Sequence, residues 1–178
     1  MTPNTLTPIA RRASRRAQVQ AVLLPLLGGT ALGFLAALGV LWLTMPGMML
    51  KIHESRFDSV EQTCQELKKA IENAGWNCPG IRDMNQSMAK HGVQFDRPVR
   101  IVELCNADYA LKVLEKHPEM STLMPCAFGV YEGPDGKVYI SGMNTGLMGK
   151  MFGGVIAEVM GKHVAADEKH ILSSVIQE

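Results

Sequence analysis

Cys126-Ala127-Phe128-Gly129-Val130-Tyr131-Glu132-Gly133-Pro134-Asp135-Gly136-Lys137-Val138-Tyr139-Ile140-Ser141 holds two apolar, β-branched and aromatic runs around Gly133-Pro134-Asp135-Gly136. Strand-forming runs on either side of a turn sequence predict a β-hairpin, with strands from Cys126 to Tyr131 and from Lys137 to Ser141. Upstream, Val99 to Cys105 alternates and reads as an interior strand. Asn106 can then cap a helix reaching about Lys116, with Ala110, Leu111, Val113 and Leu114 on it. Further back, Ser59 and Gln62 form a capping box for a helix to about Ala74. Val60, Cys64, Leu67, Ile71 and Ala74 share one face of it, and Gly75 supplies the stop. Met49 to Glu54 reads as a short first strand. Strands and helices closed by a hairpin predict an α+β fold, a single small domain with a mixed or antiparallel sheet and helices on one face.

The last third turns helical. Thr145 to Gly161 carries Leu147, Met148, Met151, Phe152, Val155, Ile156, Val159 and Met160, with only Lys150 and Glu158 charged. At this length, and with its glycines, it is a poor spanning helix and is expected to be buried in the domain or against a partner. Val164 to Gln177 follows as a second amphipathic stretch.

Ahead of this domain, residues 17–50 contain no ionisable side chain. The apolar part from Ala21 to Met45, as a helix rising about 1.5 Å per residue, would cover about 37 Å, enough for a hydrocarbon core of about 30 Å. The expected organisation is a basic cytoplasmic N-terminus at 1–19, one transmembrane helix at 20–46 and a periplasmic domain at 47–178. Arg11, Arg12, Arg15 and Arg16 precede the span, so the positive-inside bias places the N-terminus in the cytoplasm of a bacterial inner membrane. The apolar core is too long for a signal peptide, and Thr44 to Leu50 lacks an Ala-x-Ala-like cleavage site, so the segment reads as an uncleaved anchor. Gly29 and Gly33 have the spacing of a helix-packing motif, although a lone pair is a weak signal. Beyond the span, 14 basic and 17 acidic residues leave a slight negative charge, which argues against a nucleic-acid partner.

The Ser-Val-capped helix, the strand ending Glu103-Leu104-Cys105-Asn106-Ala107, the run Met124-Pro125-Cys126, and Val130-Tyr131-Glu132 before Asp135-Gly136-Lys137-Val138 occur in a recognisable order. In these motifs residues 49–145 resemble the bacterial and archaeal DUF302 family, in its cysteine-containing subgroup, here preceded by a membrane anchor. The resemblance implies a small α+β domain that tends to form homodimers, with no established reaction. It also implies that Cys105 and Cys126 occupy positions where only some members carry cysteine, while Cys64 and Cys78 are additions of this chain.

All four cysteines lie beyond the span, in what would be an oxidising compartment. Cys105 ends one strand and Cys126 begins another, so a disulfide between them is one reading. A second takes Cys105, ahead of a helix N-terminus, as a thiolate that with Cys126 and Met124 suits a soft metal such as Cu(I), or a reversible dithiol. Inert buried thiols are the third. Cys64 reads as a packed thiol on its helix face and Cys78 as a satellite disulfide partner. No Cys-x-x-Cys occurs, which disfavours a thioredoxin-like motif and a paired-cysteine zinc site, and without Cys-x-x-Cys-His there is no c-type haem.

Non-covalent haem has His53, His91, His117, His163 and His170 as candidate ligands, each isolated in sequence. Twelve methionines include the pairs Met84 and Met88, Met120 and Met124, Met148 and Met151, which core packing explains better than copper. Asp83, Asp96, Glu103 and Asp108 do not build an acid-base pair by spacing. Asn85-Gln86-Ser87 would be a glycosylation sequon in a secretory lumen.

The chain therefore reads as a non-enzymatic accessory or binding subunit held on the lipid bilayer, acting as a homodimer or within a membrane complex. The alternative is a periplasmic thiol-disulfide redox protein using Cys105 and Cys126.

Overall fold

The computed structural model describes residues 33–40, 43–44 and 47–177. Residues 1–46 and 47–178 form separate units. Of the first, residues 33–40 are helical, and Phe34, Leu35, Leu38 and Val40 on it are exposed. Among the described residues no helix is long and apolar enough to cross a membrane. The basic N-terminus, the Gly29 position and most of the expected span at 20–46 lie outside the described residues.

The second unit is an α+β domain built on a five-stranded sheet. Its elements are β1 (Leu50–Glu54), α1 (Val60–Asn73), β2 (Ile81–Asp83), α2 (Met84–Ala89), β3 (Val99–Leu104), α3 (Ala107–Leu114), a 3-10 turn (Pro118–Leu123), β4 (Cys126–Glu132) and β5 (Val138–Met143). The chain ends with α4 (Thr145–Phe152), α5 (Gly154–Glu158), a π-helical turn (Val159–Val164) and α6 (Ala165–Ser173). Strand order is β1-β5-β4-β3-β2, and every neighbouring pair is antiparallel, so of the two expected sheet types the antiparallel one holds.

The hairpin forms as expected, its strands pairing from Glu132↔Val138 to Phe128↔Gly142. Val102, Leu104, Phe128, Val130, Val138 and Ile140 are buried on one side of the sheet. The alternate residues Ile52, Ile101, Gly129 and Ser141 form a partly exposed row on the other side. Helix α1 lies against β3 and β4, with Val60, Cys64, Leu67 and Ile71 buried, and Ser59 Oγ accepts from the Gln62 N–H at its start. Gly75, at φ 79°, turns the chain out of the helix.

The stretch from Asp83 to Val99 is organised by polar contacts. Asp83 caps α2, and the Arg100 guanidinium bonds Asp83, Glu61 and the Asn85 side-chain oxygen. The Asn85 amide also donates to the Phe95 and Arg97 carbonyls, and its oxygen accepts from the Val99 N–H. The sequon asparagine is thus a structural brace across this loop. Strand β2 and helix α2 have no counterpart in the sequence reading, because three- and six-residue elements are shorter than a periodic pattern needs.

The apolar segment from Thr145 to Gly161 is not one helix. Gly153 and Gly154 both have positive φ, at 71° and 53°, and divide α4 from α5, after which the chain unwinds into the wider π turn. A Cβ built on Gly149 would lie 2.4 Å from the Gly161 Cα, so α4 and the π turn touch backbone to backbone. The C-terminus returns to β1, where Gln177 N–H donates to the Glu54 carbonyl and Arg56 N–H to that of Val175.

Candidate functional site

Cys105, Met124 and Cys126 come together where β3 ends and β4 begins. Cys105 follows β3 and exchanges backbone hydrogen bonds with Asn77 at 2.9 and 2.8 Å, while Asn106 caps α3 by accepting from the Asp108 and Tyr109 N–H groups. Cys126 opens β4 opposite Leu104, and Met124 precedes it through a cis peptide to Pro125. With Met160 of the π turn, these three side chains line a cavity of about 20 Å³. That is room for about one water molecule or one ion. The small cavity taken alone has no room for haem, one of the expected ligands.

A polar clasp borders the cavity. Trp76 Nε1–H and the Tyr109 hydroxyl both donate to Asp167 Oδ2, at 3.1 and 3.2 Å, and the Tyr109 ring stacks on His163 at 5.9 Å.

Burial, the nearby Glu168 and Cys105 itself push the Cys126 thiol up to about 12. At neutral pH Cys126 is therefore a thiol, which makes it a poor attacking group for disulfide exchange. Each of the four cysteines is a free thiol in the structure. Cys64 is buried beneath α1, its thiol pushed up to about 11 mainly by burial, with Arg100 opposing. Cys78 is half-buried near Cys64, is also raised by burial, and has its Sγ 3.9 Å from the Gly80 carbonyl oxygen. Neither lines a cavity with Cys105 and Cys126.

Of the methionines, Met120, Met148 and Met160 are buried, whereas Met151 is exposed. The histidines do not converge: His53 lines a second cavity, His163 stacks on Tyr109 and His117 pairs with Glu119. Among the described residues no three His, Cys, Asp or Glu side chains stand close enough to hold a metal ion together. Any ion at the small cavity would rest on two thiols and the thioethers. Asp83 caps α2 and Glu103 pairs with Arg82 at the surface, while Asp108 lies in the first turn of α3.

Next to this cavity lies a larger one. Pairing between β4 and β5 stops at Phe128↔Gly142, leaving Cys126 and Ala127 without a partner on β5. There a cavity of about 450 Å³ runs past the end of the sheet, lined by residues of both its faces and of the C-terminal helices. Cys126 and Met160 line both it and the small cavity. A further cavity of about 330 Å³ lies between α6 and the β1–β5 strands. Glu168 of α6 lines both of the larger cavities.

Glu168 is only 8 % exposed, and its Oε2 accepts the Thr145 hydroxyl at 2.7 Å. Burial lifts its carboxyl to about 7, against the Thr145 hydrogen bond and the charge of Lys51. The sequence reading missed it because Ala165-Ala166-Asp167-Glu168-Lys169-His170 looks solvated. The signal was its spacing: Val164, Glu168, Ile171 and Val175 fall on one helical stripe, all buried.

The model of the domain of unknown function DUF302 matches residues 52–177. The chain belongs to the DUF302 family. The match runs beyond the motifs noted above, which end at about residue 145, and takes in α4 to α6 with the cavities they enclose. A crystal structure of an uncharacterised conserved DUF302 protein from Bacillus stearothermophilus superposes with a TM-score of 0.58 at 19 % identity, covering 70 % of this chain and 98 % of that one. At that identity the likeness shows the shared fold. No curated protein matches the chain.

Proposed function

We propose that this DUF302 domain is a membrane-anchored, non-enzymatic binding subunit, held on the periplasmic face of a bacterial inner membrane by its N-terminal span and presenting a thiol-thioether site for one soft monovalent metal ion such as Cu(I). The observation that carries the reading is the single small cavity shared by Cys105, Met124, Cys126 and Met160. Two thiols and two thioethers are a soft donor set, and the space that all four share is of one ion's size. The raised Cys126 thiol favours binding over redox turnover, because a metal ion displaces the thiol proton on coordination whereas exchange needs a standing thiolate. The address rests on the uncharged run at 17–50 and the four arginines before it, and the exposed Phe34, Leu35 and Leu38 fit a lipid-facing helix. A homodimer, or a larger membrane complex, is the assembly this anchor would serve.

The test uses the full chain in detergent, purified without oxygen, reductant or chelator. Thiols are counted by mass spectrometry, and Cu(I) is titrated against a chromophoric chelator. The expected result is one equivalent bound, lost in the Cys105→Ser/Cys126→Ser double variant and retained in Cys64→Ser. Equal copper retention by the double variant, or a Cys105–Cys126 disulfide that resists reduction, overturns the reading.

A further inference from the structure

The cavity of about 450 Å³ at the end of the sheet has a charge pattern that the soft-ion site does not use. Among the described residues no Lys, Arg or His lines it, and its two ionisable groups, Glu168 and Cys126, are both acids. Most of the wall is apolar, including Leu50, Ile101, Met143 and Met148, with the Ser141 and Thr145 hydroxyls among it. Glu168 is more than nine-tenths buried, yet only its Oε2 has a hydrogen-bond partner among the described residues. Among the described residues no buried side-chain oxygen is left both unpartnered and sealed off, so Oε1 reaches open space, and this cavity is one of the two that Glu168 lines. The Lys51 charge offsets the burial of this carboxyl only in part, and among the described residues no Lys, Arg or His forms an ion pair with it.

We propose that this cavity binds a small organic cation, an ammonium group on an apolar body, whose N–H donates to the free Glu168 oxygen while the body lies against the methionine and aliphatic walls. A volume of this size lies in the range of small-ligand sites. A charge-assisted hydrogen bond is stronger than a neutral one, so charge rather than shape is the recognised feature. Lys51 and His53 of β1 and Lys169 of α6 line the other cavity and not this one, so a cation here meets no basic wall residue among those described. Cys126 of β4 is the remaining ionisable group near the carboxyl, and it is neutral as a thiol.

The full chain with 13C-methyl methionine, in nanodiscs of zwitterionic lipid, is titrated with hexylammonium, 1-hexanol and hexanoate, with empty nanodiscs correcting for partition. At about pH 8 hexylammonium should bind at least about tenfold more tightly than 1-hexanol, shifting the Met143, Met148 and Met160 methyl signals. That advantage should fade as pH falls to about 5 and Glu168 takes up a proton, a readout that needs no variant. Glu168→Gln should abolish the advantage and keep 1-hexanol binding. Cys105→Ser should leave hexylammonium affinity unchanged, since Cys105 does not line this cavity, so the cation site and the soft-ion site fail independently. Equal or tighter binding of 1-hexanol or hexanoate, no binding of hexylammonium, an advantage independent of pH, or shifts confined to other methionines overturns the proposal.

Discussion

The two ends of the covered sheet face are packed by different rules. Beneath α1, Leu67, Ile71, Val102 and Val130 are fully buried and none of them lines a cavity, a close-packed aliphatic core. Beneath α4 to α6 the wall is built of Met148 and Met160, of glycines in backbone contact, and of a buried glutamate, with three cavities among them. Branched aliphatics hold one rotamer and fill space, whereas methionine and glycine leave gaps that a guest can use. The first region gives the domain its stability, and the second spends part of that stability on a place to bind.

Truncation should separate the two most sharply. Leu67→Ala, in the closed core, should destabilise by about 4 kcal/mol, whereas Met148→Ala, on the wall of an existing cavity, should stay near about 2 kcal/mol. Denaturant midpoints compare them, and equal losses would erase the distinction between the regions.

The pH dependence of Glu168 comes next. Its folded carboxyl is raised to about 7 from an ordinary 4.5, so its protonated form is favoured by folding. The stabilisation is complete below about pH 4.5 and is lost as pH rises through about 7, amounting to about 3 kcal/mol. Glu168→Gln should therefore gain on the parent chain between pH 5 and pH 8 by about that amount, read from urea denaturation at both pH values. A constant difference across the range would place the carboxyl in water.

The smallest of these effects belongs to the helix contact. Gly149→Ala puts a methyl against the Gly161 backbone, which cannot swing aside as a side chain would. A loss of about 1–3 kcal/mol is expected, together with altered methyl signals of Met148 and Met160 but not of Met120. A variant as stable as the parent would show that α4 and the π turn can move apart freely.

Much of this was readable in advance, and the failures share one cause. The α1 stripe from Val60 to Ile71, the Asn106 cap and the hairpin are local patterns that their own residues enforce. Strand β2 and helix α2 are held by Arg100 and Asn85, whose partners lie up to 39 residues away, so no local pattern announces them. The apolar run from Thr145 to Gly161 fits a single helix by composition, and only the paired positive-φ glycines divide it. For the site, Cys105, Cys126 and Met124 stood out by residue type. Glu168 did not, because its neighbours Asp167 and Lys169 masked the helical spacing that buries it.

The sequence by itself determined what depends on neighbours along the chain: an α+β domain with its capped helices and hairpin, the uncharged run before it, the DUF302 motifs, and the cysteines available for chemistry. Tertiary structure alone decided what depends on approach across the fold. It joined Cys105 to Cys126 and Met160 around a space of one ion's size, kept Cys64 and Cys78 apart from them, and turned a surface-looking glutamate into the one buried carboxyl among the described residues. Burial is a property of what packs against a side chain from elsewhere, and ionisation follows burial.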